Sequence, residues 1–254
     1  MSADLDDRVE AWIEAEWSEY AGQLTPSDLR RGIQGLSGLY VHDRSKGQIS
    51  ARAGAGVARR AAFSVYFAPL HFLTVWWGLA SAGWPDTAGR TILDLGAGSA
   101  AAGAAVAAFG GGRVVAIDRT PWSPPAARRT LRALRLSGTA RQGSLPGAMG
   151  WPKRGEVLVF GWSLNELDPP ARADVVRRVE AGLRKGGGVL IAEPISRRIA
   201  PWWDDVHRRL AAHGVEAMEF KQRVSLPPRL AALDKAAGLD HSELKARFLV
   251  RAPA

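Results

Sequence analysis

Thr91–Leu95 is a short, mostly apolar run, and it leads straight into Asp94-Leu95-Gly96-Ala97-Gly98-Ser99-Ala100-Ala101 and an alanine-rich stretch reaching Phe109. Few folds accommodate a strand, two glycines two residues apart and a helix in that order. Gly96 and Gly98 permit a tight turn and close backbone approach, and the helix behind them aims its first N–H groups at a bound anion. Gly110-Gly111-Gly112 makes the next turn, Arg113–Ile117 is a second strand, and Asp118 ends it 20 residues beyond Gly98. A carboxylate at that strand end can accept both hydrogen bonds of a ribose diol. Together these features predict a βαβ unit that binds a nucleotide-type cofactor. The plainer alternative is an ordinary βαβ turn with a surface aspartate.

The same rhythm continues downstream. Pro124–Leu136 reads as helix, Thr139–Gln142 as a weaker strand, Glu156–Phe160 as strand, Pro169–Leu183 as helix, Gly188–Ala192 as strand and Trp202–Ala212 as helix. Val215–Lys221 and Ala246–Ala252 supply the last two strands, with an irregular basic segment between them. This alternation predicts an α/β, Rossmann-like fold with a mostly parallel, doubly wound sheet. Upstream the pattern is helical. Leu5–Tyr20 carries Val9, Trp12, Ile13 and Trp17 on one face, and Thr25-Pro26-Ser27-Asp28 is a helix start. Gly32, Gly35 and Gly38 make Leu29–Tyr40 a short or irregular helix, and Val41–Gly56 is a basic, glycine-punctuated arm. Val57–Ala82 is a long aromatic helix, broken or bent at Pro69. The chain thus divides into a helical N-terminal extension, 1–88, expected to act as an acceptor-side lid, and an α/β domain, 89–254.

Charge separates these regions. Residues 1–28 carry eight acids and one base, residues 29–60 seven bases and one acid, and the chain from Arg90 onward is strongly basic, for a formal net charge of +9. Such a balance favours an anionic partner. Two basic regions suit RNA phosphates: Arg30–Arg60, and the helix around Arg128, Arg129, Arg132 and Arg135 with Arg119 and Arg141 nearby. For residues 128–135 a solvated helix face is the simpler account of the arginines. The absence of cysteine excludes a disulfide framework, thiolate-bound zinc, an iron–sulfur site and a cysteine nucleophile. His207 and His213 are six apart and poorly aligned on a helix, so no metal site is expected. MSADLDDRVEAW lacks the basic and apolar regions of a secretory signal, and Ala61–Ala82 contains Pro69, His71 and paired tryptophans. A cytoplasmic protein with a buried or groove-lining helix, and no membrane partner, is the expectation.

Two cofactor chemistries compete for the glycine turn. Gly96, Gly98 and Ala101 satisfy the dinucleotide pattern G-x-G-x-x-A. Asp94, however, suits a ligand with a positively charged amino group and would face a pyrophosphate unfavourably. The three tyrosines, Tyr20, Tyr40 and Tyr66, also all lie upstream of the sheet. The D-x-G-x-G loop is similar to motif I of the class I S-adenosylmethionine-dependent methyltransferases. That resemblance implies S-adenosyl-L-methionine as cofactor, with its methionine end near Asp94, Gly96, Ala97 and Gly98 and its ribose at Asp118 beside Arg119. It implies adenine near Gln142-Gly143-Ser144-Leu145, where Gln142 or Ser144 stands in place of the usual acid, and Gly161 at the end of the fourth strand.

A more particular likeness follows. Gly161-Trp162-Ser163-Leu164-Asn165-Glu166-Leu167 precedes a helix, and Arg184-Lys185-Gly186-Gly187-Gly188 opens a strand that ends in Glu193-Pro194. This pairing resembles the Rsm22-like family of small-ribosomal-subunit methyltransferase-like proteins, over residues 30–215. Leu39-Tyr40, Arg44 and Ala58–Leu79 are similar to that family's helical lead-in. The resemblance implies ribosomal RNA or the small ribosomal subunit as partner. The chain departs from the family in lacking cysteine ligands for an iron–sulfur cluster. A small-molecule or peptide acceptor, or a non-catalytic role in ribosome assembly, therefore stays open.

Methyl transfer needs an aligned nucleophile above all. The acceptor should arrive at the carboxyl ends of the strands, where Trp162, Asn165, Glu166 and Glu193 fall. Asn165 suits an amine or amide edge. Glu166 either handles a proton or a positive group, or caps a helix. Trp162 either stacks on a planar acceptor or packs the lip of the crevice. His71 reads as a packing residue before a base, and His42 sits in the basic arm, within reach of an acceptor or phosphate. Phe63, Tyr66, Phe67, Phe72, Trp76 and Trp77 either roof a pocket or dock their helix on the sheet. Trp202-Trp203 either caps the acceptor pocket or is buried.

Overall fold

A computed structural model of the chain describes residues 3–42 and 56–254, and of residues 39–42 the backbone alone. Most of the basic arm expected over 41–56, with Arg44, Lys46 and Arg52, and the side chains of Tyr40 and His42 fall outside the described residues.

Helix α1 (Ala3–Tyr20) buries Leu5, Val9, Trp12 and Ile13 along the expected face. Helix α2 (Pro26–His42) starts where the sequence says: the Asp28 carboxylate accepts from the Thr25 N–H and hydroxyl at 2.9 and 2.6 Å. It runs for 17 residues rather than breaking at its glycines. At Gly32 the reason is contact: a Cβ there would lie 2.5 Å from the Ala58 carbonyl of the next helix, α3 (Val57–Ala62). The break expected at Pro69 takes the form of a π-helical turn, Phe63–Phe67, followed by α4 (Ala68–Ser81), in which Pro69 occupies the first turn. Proline lacks an N–H and crowds the carbonyl four residues back, and the wider turn absorbs both defects. The stretch Val57–Ser81 is long and apolar enough to cross a membrane by length and composition, yet most of it is buried within the fold.

One seven-stranded sheet follows. Its strands are β1 (Thr91–Leu95), β2 (Arg113–Asp118), β3 (Gly138–Gln142), β4 (Val157–Gly161), β5 (Gly188–Glu193), β6 (Glu216–Arg223) and β7 (Glu243–Arg251), in the order β3-β2-β1-β4-β5-β7-β6. The first five are parallel and β7 is antiparallel to both its neighbours. The crossover helices are α5 (Ala101–Gly110), α6 (Ser123–Ala133), α7 (Pro169–Arg184) and α8 (Trp203–Ala211). The segment before β7, expected to be irregular, holds a ninth described helix, α9 (Pro228–Ala236), which buries Leu230 and Asp234.

Strand parity divides the core. Ile92, Val157, Val159, Leu190 and Ala192 point toward the N-terminal helices and α5, whereas Leu93, Leu95, Leu158, Phe160 and Ile191 point toward α7 and α8. The described helices before residue 89 therefore share a core with one face of the sheet. Helix α1 is also tied to α6 by charge: Arg129 reaches the buried Glu16 carboxylate at 3.0 and 3.2 Å, and Glu19 at 3.5 Å. Burial pushes the Glu16 carboxyl up, and the Arg129 cation pulls against that.

Candidate active site

The strand order reverses between β1 and β4, so the loops leaving their carboxyl ends diverge and open a crevice. The glycine turn after β1 and the Gly161–Leu167 segment after β4 form its lips. They touch where a Cβ on Gly96 would lie 2.5 Å from the Ser163 Cβ, and the Ser163 hydroxyl donates to the Leu95 carbonyl at 2.7 Å. Gly96 and Gly98 have φ of 75° and 53°, the left-handed region that favours glycine. Gly98 is held at both ends of its peptide, since its N–H donates to Asp118 at 2.9 Å and its carbonyl accepts from the Ser123 hydroxyl. The other Asp118 oxygen accepts from the Thr120 N–H and hydroxyl at 2.8 and 2.6 Å.

Parity puts Asp94 on the Ile92 side, beneath the first turn of α5. The Gly103 N–H donates to Asp94 Oδ2 at 2.9 Å, and Gly103 allows this because a Cβ would lie 2.7 Å from the Asp94 Cβ. Asp94 Oδ1 is buried with no partner. Loss of water pushes this carboxyl up to about 7, against the pull of the Gly103 N–H and with help from the Asp118 charge.

Aromatic rings make the facing wall. Trp162 has φ 55°, rare for a bulky residue, and its N–H donates to the Ala192 carbonyl at 2.8 Å. Its ring stacks on His71 with centroids 3.9 Å apart and planes 12° from parallel. Phe63 meets His71 and Trp122 edge-on. Burial, with His241 adding to it, pushes His71 down to about 3, so its imidazole is uncharged at neutral pH. Asn165 donates its N–H to Glu193 Oε1 at 3.2 Å, while Asn165 Oδ1 and Glu193 Oε2 are buried without partners. Burial pushes Glu193 up to about 8, against its backbone hydrogen bonds.

The crevice has two connected parts that share Gly96, Asp118, Trp162 and Glu166. Asp94, Ala97, Gly98, Gly161 and Asn165 line the first, and Arg119 and Ser144 line the second. Gln142 lines neither; it is exposed and donates to the Arg119 carbonyl at 2.9 Å. Glu166 sits 3.3 Å from Arg119, and the cap of α7 is Asp168, which accepts from the Ala171 N–H at 2.8 Å. Trp203 is buried under Arg247, and neither it nor Trp202 lines the crevice. Thr120 and Trp122 line it unforeseen, and Phe63, one of the rings expected either to roof a pocket or to dock its helix, lines it as well. For Thr120 a signal existed, since a hydroxyl two residues after an acid commonly bonds back to it. The Trp122 ring had none, because tertiary packing alone brings it there.

No protein-family model and no curated protein matches the sequence. Among solved structures, the chain is similar to an O-methyltransferase family protein from Burkholderia thailandensis, at 14% identity over 91% of this chain and 73% of that one, with a TM-score of 0.53. This is the class I methyltransferase fold. Weaker likenesses are to a methyltransferase from Pyrococcus furiosus, 14% identical over 71% of this chain and 83% of that one, TM-score 0.46, and to a ribosomal protein L11 methylase from Lactobacillus delbrueckii subsp. bulgaricus, 14% over 73% and 78%, TM-score 0.42. In this fold the crevice between β1 and β4 is where the strand order reverses, and every residue of the glycine turn that faces it belongs to the D-x-G-x-G loop.

Proposed function

We propose that the chain is an S-adenosylmethionine-dependent methyltransferase. The observation that carries this reading is Asp94, which lines the crevice beside the glycine turn and whose Oδ1 is buried without a partner. An unpaired buried carboxylate oxygen is costly, and a cationic amino group satisfies it. A dinucleotide pyrophosphate would meet the same oxygen with like charge.

When bound, S-adenosylmethionine supplies a methyl group on a positively charged sulfur. Asp94 holds its amino group, the Gly96–Gly98 backbone allows close approach, and Asp118 accepts from its ribose. The second part of the crevice, with Ser144, takes its adenine. Arg119 holds Glu166 in place across that part. The acceptor arrives by Trp162 and Asn165, where the stacked aromatic wall excludes water from the reacting atoms.

The ribosomal acceptor is supported by the Ser163–Leu167 segment and its likeness to the Rsm22-like family. The cationic side of that reading is thinner, because several of its arginines are engaged within the fold. Arg128 donates to the Ala140 carbonyl and Arg141 to the Ala148 carbonyl, each at 2.7 Å, and Arg129 is paired with Glu16. A small-molecule acceptor is favoured by the cleft described below.

Titration calorimetry with S-adenosylmethionine and S-adenosylhomocysteine tests the reading. Binding of both at one site per chain is expected, without binding of nicotinamide dinucleotides. Folded protein that binds neither overturns it.

A further inference from the structure

Behind the aromatic wall lies a second cavity. It is bounded on one side by α2, the π turn and α4, through Ser37, Phe67, Leu70 and Thr74, and on the other by the chain leaving β5 and the start of β7. His71, Trp162 and Pro194 line this cleft and the methyl-donor crevice alike. The stacked His71–Trp162 pair is thus a wall common to both.

We propose that this cleft is the acceptor site, and that it takes a small, uncharged, largely apolar molecule presenting an O–H or N–H to His71. The inference rests on the methyltransferase reading and adds to it where the acceptor sits and what class it belongs to.

Three observations carry it. The first is the lining. Phe67, Leu70, Ile195, Leu244 and the Trp162 ring supply apolar surface, and the cleft's one lysine, Lys245, is paired with Glu243 at 3.6 Å. Among the described residues the lining is therefore mainly apolar and sets its one lysine beside a carboxylate, whereas nucleic-acid recognition needs cations facing the phosphates. The second is hydrogen-bond capacity. His71 has no hydrogen-bond partner among the described residues, and a neutral imidazole retains an acceptor nitrogen. Asn165 Oδ1 is a further unpartnered acceptor in the crevice wall next to Trp162. A hydrogen-bond donor on the incoming molecule matches the acceptor nitrogen that His71 presents to the cleft.

The third is preorganisation. His241, which also lines the cleft, is fixed from behind: its N–H donates to Asp234 Oδ2 at 3.0 Å, and its Nδ1 lies 2.8 Å from both Asp234 Oδ1 and the Tyr66 hydroxyl. Tyr66 in turn donates to Asp234. Tyr66 comes from the π turn, so the turn that accommodates Pro69 also anchors this side of the cleft. On the other side Trp162 keeps an uncommon left-handed backbone, and such conformations persist where the surroundings over-determine them, often at ligand clamps.

The test uses the full chain saturated with S-adenosylhomocysteine, with N-phenyl-1-naphthylamine, a neutral aromatic amine that fluoresces in apolar sites, as probe. Ser37→Trp and Ser196→Trp narrow the cleft from opposite rims and touch no residue assigned to the cofactor. Expected are one probe site in the wild type, at least tenfold weaker binding in each variant, and S-adenosylhomocysteine affinity within twofold of wild type in both. The proposal is overturned by a wild type that binds S-adenosylhomocysteine but not the probe, by variants that bind the probe as wild type does, or by displacement of the probe by ribosomal RNA at low salt. A wild type that binds no S-adenosylhomocysteine overturns the methyltransferase reading itself, and so the two failures are told apart.

Discussion

Asp94 gives one oxygen to the Gly103 N–H and keeps the other buried and free, and burial holds its carboxyl up to about 7. A cation arriving at the free oxygen favours the ionised form, so binding expels a proton wherever the empty site holds one. Affinity for S-adenosylmethionine should therefore fall as pH falls. With half-protonation near 7, the loss between pH 8 and pH 6 is about tenfold. Asp94→Asn keeps an acceptor for Gly103 but cannot ionise, so its affinity should be lower at pH 8 and nearly flat across this range. Calorimetry at three pH values checks both. An Asn variant with the wild-type slope would assign the proton to another group. The sequence alone marks Asp94 as an acid before a glycine turn. It does not reveal that one of its oxygens is committed to α5, because that depends on Gly103, a glycine whose place in an alanine-rich helix looks incidental.

At the scale of elements, glycine shows where sequence reading stops. Gly32, Gly35 and Gly38 look alike in α2, and all three argue for a weak helix. A Cβ on Gly32 would meet Ala58 backbone at 2.5 Å, whereas one on Gly35 meets nothing within 4 Å. The same substitution should thus have opposite signs. Gly35→Ala is expected to stabilise the protein by about 0.5–1 kcal/mol through helix propensity. Gly32→Ala is expected to destabilise it by about 1–3 kcal/mol by overpacking α2 against α3. Urea unfolding of the two variants decides, and shifts of the same sign would sink the contact argument. Four of the five parallel strands were legible as apolar runs bounded by glycine or a charged turn, whereas β3 buries only Ala140 and reads as a weaker strand. Asp168-Pro169-Pro170 gave the start of α7 for a similar local reason. The π turn has no composition of its own beyond the proline after it. Helix α9 buries little more than Leu230 and Asp234, too few positions to establish a period.

For the whole molecule, the crevice is built at the expense of stability, since two carboxyls stand in a core with oxygens unmatched. Burial raises Asp94 from its ordinary 3.8 to about 7, and Glu193 from 4.5 to about 8. Between those values the folded chain holds protons that the unfolded chain has released. The contribution of both groups is therefore largest at low pH, and it is lost as pH rises from about 4 through 8. Other groups also titrate, so the informative quantity is the difference between the wild type and the Asp94→Asn/Glu193→Gln double variant. Each replacement keeps a hydrogen-bond acceptor where Gly103 or Asn165 donates, and neither has a charge to bury. Measured without cofactor by urea unfolding at pH 5, 7 and 9, the wild type should lose stability relative to the double variant at each step upward. Saturating S-adenosylmethionine should shrink the Asp94 share of that loss, because its amino group stabilises the ionised carboxylate, and leave the Glu193 share in place. Parallel stability curves for the two proteins would mean that these carboxyls ionise in the folded state as readily as in water, and the strained, ligand-ready crevice would have to be given up.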